Sequence, residues 1–207
     1  WANNLEALRQ VATPVVVEMF GHGRSPAPLD SAWYLPGAYL QAFEAIRVAL
    51  GCESWYLLGY SLGAGLTIRY ALTFPERVLA HVCTNSNSAF LDTTTVTPPD
   101  PEALVARFER EGHSAIDAIP VHPRFARRLP ESIKTPLLED AQLLDPGGVG
   151  RTIAYTNGHA SIRDELHLNQ RPALLVCGRY ETRFQSKRDF AAANMPGLTV
   201  VDLEAGH

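Results

Sequence analysis

Lysine is almost missing from this chain: Lys134 and Lys187 are the only two, so arginine supplies nearly all of the 18 basic residues. With 22 acidic residues the formal net charge is -4, which leaves no electrostatic reason to expect nucleic acid or an acidic membrane surface as a partner. Cysteine is scarce too. Cys52, Cys83 and Cys177 are an odd, sparse set, and two of them lie in apolar runs that read as interior strands, so buried free thiols in a reducing, cytoplasmic compartment are expected rather than disulfides or a metal site. No apolar run approaches the ~20 residues that a membrane helix needs. Neither a metal nor any other cofactor is expected. What remains is a globular composition, 46% hydrophobic and 19% charged over 207 residues, enough for one domain carrying an insertion.

One stretch organises the rest. Trp55-Tyr56-Leu57-Leu58 is a short apolar run suited to a buried strand, and residues 62–74 form a helical run stopped by Pro75. Between them stands Gly59-Tyr60-Ser61-Leu62-Gly63, a G-x-S-x-G pattern at a strand-to-helix turn. Such a turn forces its apex residue into a strained backbone and holds the side chain out above the sheet, with flanking glycines leaving room where chain approaches chain. The Leu62 N–H then lies at a helix N-terminus, where unpaired donors and the positive end of the dipole favour a developing oxyanion.

In chain order, residues 4–10 read as the end of an amphipathic helix and residues 14–20 as a β-branched strand covered on both faces. A turn cluster, Gly21-His22-Gly23-Arg24-Ser25-Pro26, follows it, and the spacing predicts a helix over 37–50. A further strand is predicted over 78–83. Strand and helix in alternation imply a parallel sheet. From 85 to 171 the pattern changes to proline clusters and helical patches at 102–111, 115–119, 125–129, 137–144 and 149–157, with no comparable strand signal. The sheet pattern then resumes with a strand over 172–178, a helix over 184–195 and a strand over 198–203. The expected organisation is therefore a core in two parts, 1–84 and 172–207, interrupted by a helical cap at 85–171.

These pieces resemble the α/β-hydrolase superfamily over essentially the whole chain. The likeness is carried by Gly21-His22-Gly23-Arg24-Ser25, the elbow at Ser61, Pro75-Glu76-Arg77-Val78, residues 172–178 and the terminal Ala205-Gly206-His207. The resemblance implies an α/β fold, a mostly parallel sheet with helices on both faces and a helical cap. It implies Ser61 as nucleophile, His207 as general base and Glu181, in Gly178-Arg179-Tyr180-Glu181, as the acid. Most members carry aspartate there, so the glutamate is a departure; Asp92 is the alternative acid, because some relatives supply it from the preceding strand. Enzymes of this fold that use aspartate at the elbow, such as haloalkane dehalogenases and epoxide hydrolases, are disfavoured.

Two family features have no match here: the HG-type motif that completes the oxyanion hole, and the helix after the histidine. The 207 residues are accordingly expected to be an internal portion of a longer protein, inactive and poorly folded by themselves. The expected substrate is a small-molecule ester or related carbonyl compound. The run Gly178 to Phe184 is also similar to the branch containing the menaquinone-pathway synthase that eliminates pyruvate, which implies a lyase or carbon–carbon hydrolase as an alternative. A non-catalytic ligand-binding member is the third reading, disfavoured by an intact Ser61 and His207. Substrate choice is expected to lie in 85–171, where an arginine could hold a substrate carboxylate.

Overall fold

The computed structural model describes residues 1–207. In chain order the regular elements are α1 (Ala2–Arg9), α2 (Pro36–Ala49), β1 (Trp55–Gly59), α3 (Leu62–Thr73), β2 (Val78–Thr84), α4 (Pro101–Glu111), α5 (His113–Asp117), α6 (Glu131–Ala141), α7 (Pro146–Arg151), β3 (Ala173–Gly178), α8 (Gln185–Asn194) and β4 (Leu198–Leu203). The chain clusters into two compact units, Asp30–Val105 with Arg151–His207, and Trp1–Leu29 with Ala106–Gly150. These units cut across the boundaries drawn from the sequence at 84/85 and 171/172.

The first unit holds the sheet. Its order is β1-β2-β3-β4 and every neighbouring pair is parallel, with Leu57 opposite His81, Cys83 opposite Leu175 and Cys177 opposite Asp202. A parallel neighbour needs a crossover, and α3 and α8 provide two of them. Helices flank this sheet through two apolar clusters. One joins Ala64 and Ile68 of α3 to Cys83, Leu175, Cys177, Phe90, Phe184 and Ala191; the other joins Leu40 of α2 and Tyr70 and Ala71 of α3 to Leu57 and Val78. Phe90 and Phe184 are both fully buried and meet edge to face at 5.6 Å, each contributing about 2–3 kcal/mol of apolar burial. Cys83 and Cys177 are buried free thiols, and burial pushes Cys83 up to about 12.

A charged knot ties α2 to the start of the sheet. Arg47, 6% exposed, pairs with Glu44 through Nε and Nη2 at 2.8 Å each, and its Nη1 donates to the carbonyls of Cys52 and Glu53 in the turn before β1. Tyr70 of α3 donates its hydroxyl to the same Glu44 carboxylate. The Arg47 guanidinium holds Glu44 down to about 2, and burial, helped by Glu44, pushes the Tyr70 phenol up to about 12. Such a group survives burial because each charge and each donor finds a partner.

The second unit contains α1, α5, α6 and a tight glycine contact. Gly21, at φ +73°, lies so close to Gly148 that a Cβ would sit 2.7 Å from its Cα, and the Gly21 carbonyl accepts from Asp145 N–H. His22 is half-buried in the turn with Nδ1 on the Phe20 carbonyl, and burial lowers its pKa.

The expected strand over 14–20 does not form. Val15, Val16 and Val17 are 48%, 48% and 40% exposed and enter no ladder. β-branched residues favour an extended backbone, but a strand exists only through hydrogen bonds to a neighbour. Between β2 and β3 every regular element is helical, as expected, although the patch over 125–129 reduces to a 3₁₀ turn at Pro123–Phe125, and α7 runs into a π-helical turn at Thr152–Thr156.

Candidate active site

β1 ends at Gly59 and α3 begins at Leu62, leaving Tyr60 and Ser61 to make the whole turn. Ser61 takes φ 51° and ψ -114°, and no other non-glycine residue has positive φ. Such a conformation costs about 1–3 kcal/mol and persists only where the surroundings enforce it. Two contacts do so: the Ser61 N–H donates to Thr84 Oγ1 of β2 at 3.1 Å, and a Cβ on Gly59 would lie 2.3 Å from Thr67 Oγ1. Gly63, expected to be needed for the same close approach, has open space where its Cβ would be. Gly65 is instead the second tight glycine, against Ala160 and Ala89.

At the same carboxyl end of the sheet, β3 stops at Gly178 and β4 at Leu203, and the segments that leave these two strands run together. Arg179 N–H donates to the Leu203 carbonyl at 2.9 Å and Tyr180 N–H to the Ala205 carbonyl at 2.8 Å. A Cβ on Gly178 would lie only 1.8 Å from the Gly206 carbonyl oxygen. This contact brings the turn that carries Glu181 beside the segment that carries His207.

The three side chains meet in a line. His207 Nδ1 lies 2.8 Å from Glu181 Oε2, and His207 Nε2 lies 2.8 Å from Ser61 Oγ. With the carboxylate accepting from Nδ1–H, Nε2 is left as the acceptor for the serine hydroxyl. His207 and Glu181 side chains are 26% and 15% exposed, open enough for a ligand and covered enough to strengthen the hydrogen bond between them. The Tyr60 ring packs on the imidazole at 5.4 Å, and burial, then the charge of Glu181, raises its phenol pKa. The Leu62 N–H is the first of α3 and lies at the helix N-terminus beside Ser61. An array of this kind can take a proton from a hydroxyl and return it to a leaving group.

Asp92 is not brought to His207. It caps the 3₁₀ turn Thr93–Thr95, its Oδ1 accepting from Thr94 N–H at 3.1 Å and Thr94 Oγ1 at 2.6 Å, and those bonds lower its pKa. Nor is Glu181 paired with its arginine neighbour, since Arg179 reaches Glu204 at 2.6 Å. Sequence reasoning missed the groups that hold the carboxylate. Asn85 Nδ2 donates to Glu181 Oε2 and Asn87 Nδ2 to Oε1, each at 2.6 Å, while Gln185 Nε2 donates to the Glu181 carbonyl at 3.2 Å. The available signal was Asn85-Ser86-Asn87 immediately after a strand, at the sheet edge where open α/β folds bind ligands.

This chain belongs to the alpha/beta hydrolase fold family, whose sequence profile it matches over residues 1–207. Among curated relatives it is 26% identical over 212 residues to a putative 2-succinyl-6-hydroxy-2,4-cyclohexadiene-1-carboxylate synthase of Bacillus subtilis, covering 93% of this chain and 73% of that one. It is 24% identical over 217 residues to the carboxylesterase YbfK of the same organism, covering 100% of this chain and 69% of that one. Its fold matches the crystal structure of a hydrolase from Pseudomonas aeruginosa with a TM-score of 0.81 at 22% identity, over 100% of this chain and 77% of that chain. No helix of the protein is long and apolar enough to cross a membrane.

Proposed function

We propose that this protein is a serine hydrolase acting on a small-molecule ester or related carbonyl substrate through Ser61, His207 and Glu181. The observation that carries the reading is the line of two 2.8 Å contacts, Glu181 to His207 to Ser61, ending on the one strained non-glycine residue of the chain. Similarity to the carboxylesterase supports the ester class. In the reaction, Ser61 Oγ attacks the carbonyl carbon while His207 Nε2 takes its proton, and Glu181 keeps the imidazole oriented and stabilises the imidazolium. The tetrahedral oxyanion accepts from the Leu62 N–H, a donor of a kind worth about 10²–10³ in rate. His207 then protonates the leaving alkoxide, which departs as the alcohol. A water molecule, deprotonated by the same nitrogen, attacks the acyl carbon, and the C–Oγ bond breaks as that proton passes to Ser61 Oγ, releasing the acyl group as the acid. Residues 85–171 form the cap that selects the substrate in this reading, and no cofactor takes part.

Labelling of the intact protein with a fluorophosphonate tests it. Wild type should react and Ser61→Ala should not, while Glu181→Gln should cost orders of magnitude in turnover of activated esters. A second reading has its own support in the likeness to the synthase: a lyase or carbon–carbon hydrolase in which the Ser61–His207 pair abstracts a proton. Turnover of vinylogous diketones without ester hydrolysis would favour it. An unlabelled serine with neither activity would favour a non-catalytic ligand-binding protein.

A further inference from the structure

Glu181 has three side-chain torsions to fix before its carboxylate can meet an imidazole, and the groups that fix them come from a distant part of the chain. Oε1 accepts from Asn87 Nδ2 at 2.6 Å; Oε2 accepts from Asn85 Nδ2 at 2.6 Å and from His207 Nδ1 at 2.8 Å. Each carboxylate oxygen is thus held by an amide, and the free direction of Oε2 is turned to the histidine.

Asn85 also fixes the backbone from which Glu181 hangs. It is 2% exposed; its Oδ1 accepts from Gly178 N–H at 3.0 Å, and its Nδ2 lies 3.3 Å from the Gly178 carbonyl. β2 has ended one residue earlier, so the Asn85 amide takes over the ladder at β3 and presents to Gly178 the donor and acceptor of a peptide edge. Asn87 has a different job: its amide holds only the second carboxylate oxygen and so sets the rotation of the carboxylate plane.

We infer that Asn85 and Asn87 are positioning residues for Glu181, a pair of amides that makes a glutamate competent to orient His207. The inference rests on the reading of Ser61, His207 and Glu181 as a triad. Its chemical consequence concerns charge. Two amide donors stabilise the carboxylate and draw off part of the electron density that would otherwise act on the imidazolium. Losing one therefore leaves more of the carboxylate's negative charge facing the imidazole while loosening its orientation.

The test uses the intact protein, an activated ester and a fluorophosphonate. Asn87→Ala is expected to lower kcat/KM by about 10-fold to 100-fold, as small misplacements in a reacting array do, and to move the acid limb of its pH profile upward. Asn87→Asp keeps the volume, and hence the fold, but sets a second carboxylate against Glu181, so the limb should move further in the same direction. In a Glu181→Gln background the Asn87→Ala change should cost nothing more, because a residue acting through Glu181 has nothing left to act on. A fluorophosphonate-reactive wild type whose Asn87 variants keep their rate and limb, or whose losses multiply with that of Glu181→Gln, overturns the positioning inference alone. An unreactive wild type overturns the triad and this inference with it.

Discussion

Replacing Gly178 with alanine strikes the contact that assembles the site without touching any of its reacting groups. The added Cβ would be 1.8 Å from the Gly206 carbonyl oxygen and 2.8 Å from that of Ala205, where 3.0 Å is the closest approach that real Cβ atoms make. The Gly206 carbonyl must then retreat by at least about 1.2 Å, and it lies one residue before His207. Both neighbours of the contact are backbone, pinned by the Tyr180 to Ala205 hydrogen bond, so no side chain can swing aside. A displacement of about 1 Å in a catalytic array costs about 10²-fold, or about 2.7 kcal/mol of transition-state stabilisation. Overpacking of the kind adds about 1–3 kcal/mol of lost stability. Ester turnover of Gly178→Ala against wild type, with urea midpoints measured in parallel, separates the two effects. A variant that folds and keeps kcat/KM within about threefold would refute the claim that this contact positions His207.

The two elbow glycines should part company: Gly59→Ala meets Thr67 Oγ1 at 2.3 Å and should destabilise the fold severely, whereas Gly63→Ala enters open space inside α3 and should stabilise it by about 0.5–1 kcal/mol, as denaturant midpoints would show. Ser61→Gly removes the proposed nucleophile and relieves the backbone at φ 51°, so fluorophosphonate labelling should vanish while stability rises by about 1 kcal/mol. His81 is 1% exposed and burial lowers its pKa below 6.5, so the unfolded chain binds a proton that the folded one refuses. Its contribution is therefore complete above pH 6.5 and is lost as pH falls below that value. The stability gap between wild type and His81→Gln should narrow on acidification, and parallel curves would contradict it.

Much of this could be read in the sequence, and the reasons are local. A strand-length apolar run, a glycine-flanked serine and a helix stopped by Pro75 are events within a few residues, governed by sterics and periodicity that do not depend on what lies elsewhere. The elbow at Ser61, the four strands from Trp55 onward and the helices between them follow from such rules. The run over 14–20 shows where these rules stop. Its β-branched residues satisfy the same local preference as β3, yet pairing is a property of two segments, and it forms no strand.

The site divides along the same line. Residue types and their order marked Ser61, His207 and Glu181 as a set, but no local pattern could decide between Glu181 and Asp92, since both are carboxylates in turns after strands. The decision lies in separations across the chain: 146 residues between Ser61 and His207, 96 between Asn85 and Glu181. Those groups meet because β2, β3 and β4 lie side by side, and because Gly178, lacking a Cβ, lets two backbones touch. Sequence alone determined that a serine stands at a strand-to-helix turn; the packing of distant strands determined which carboxylate the histidine faces and which amides hold it there, because hydrogen bonds reach about 3 Å and only the folded chain brings these atoms that close.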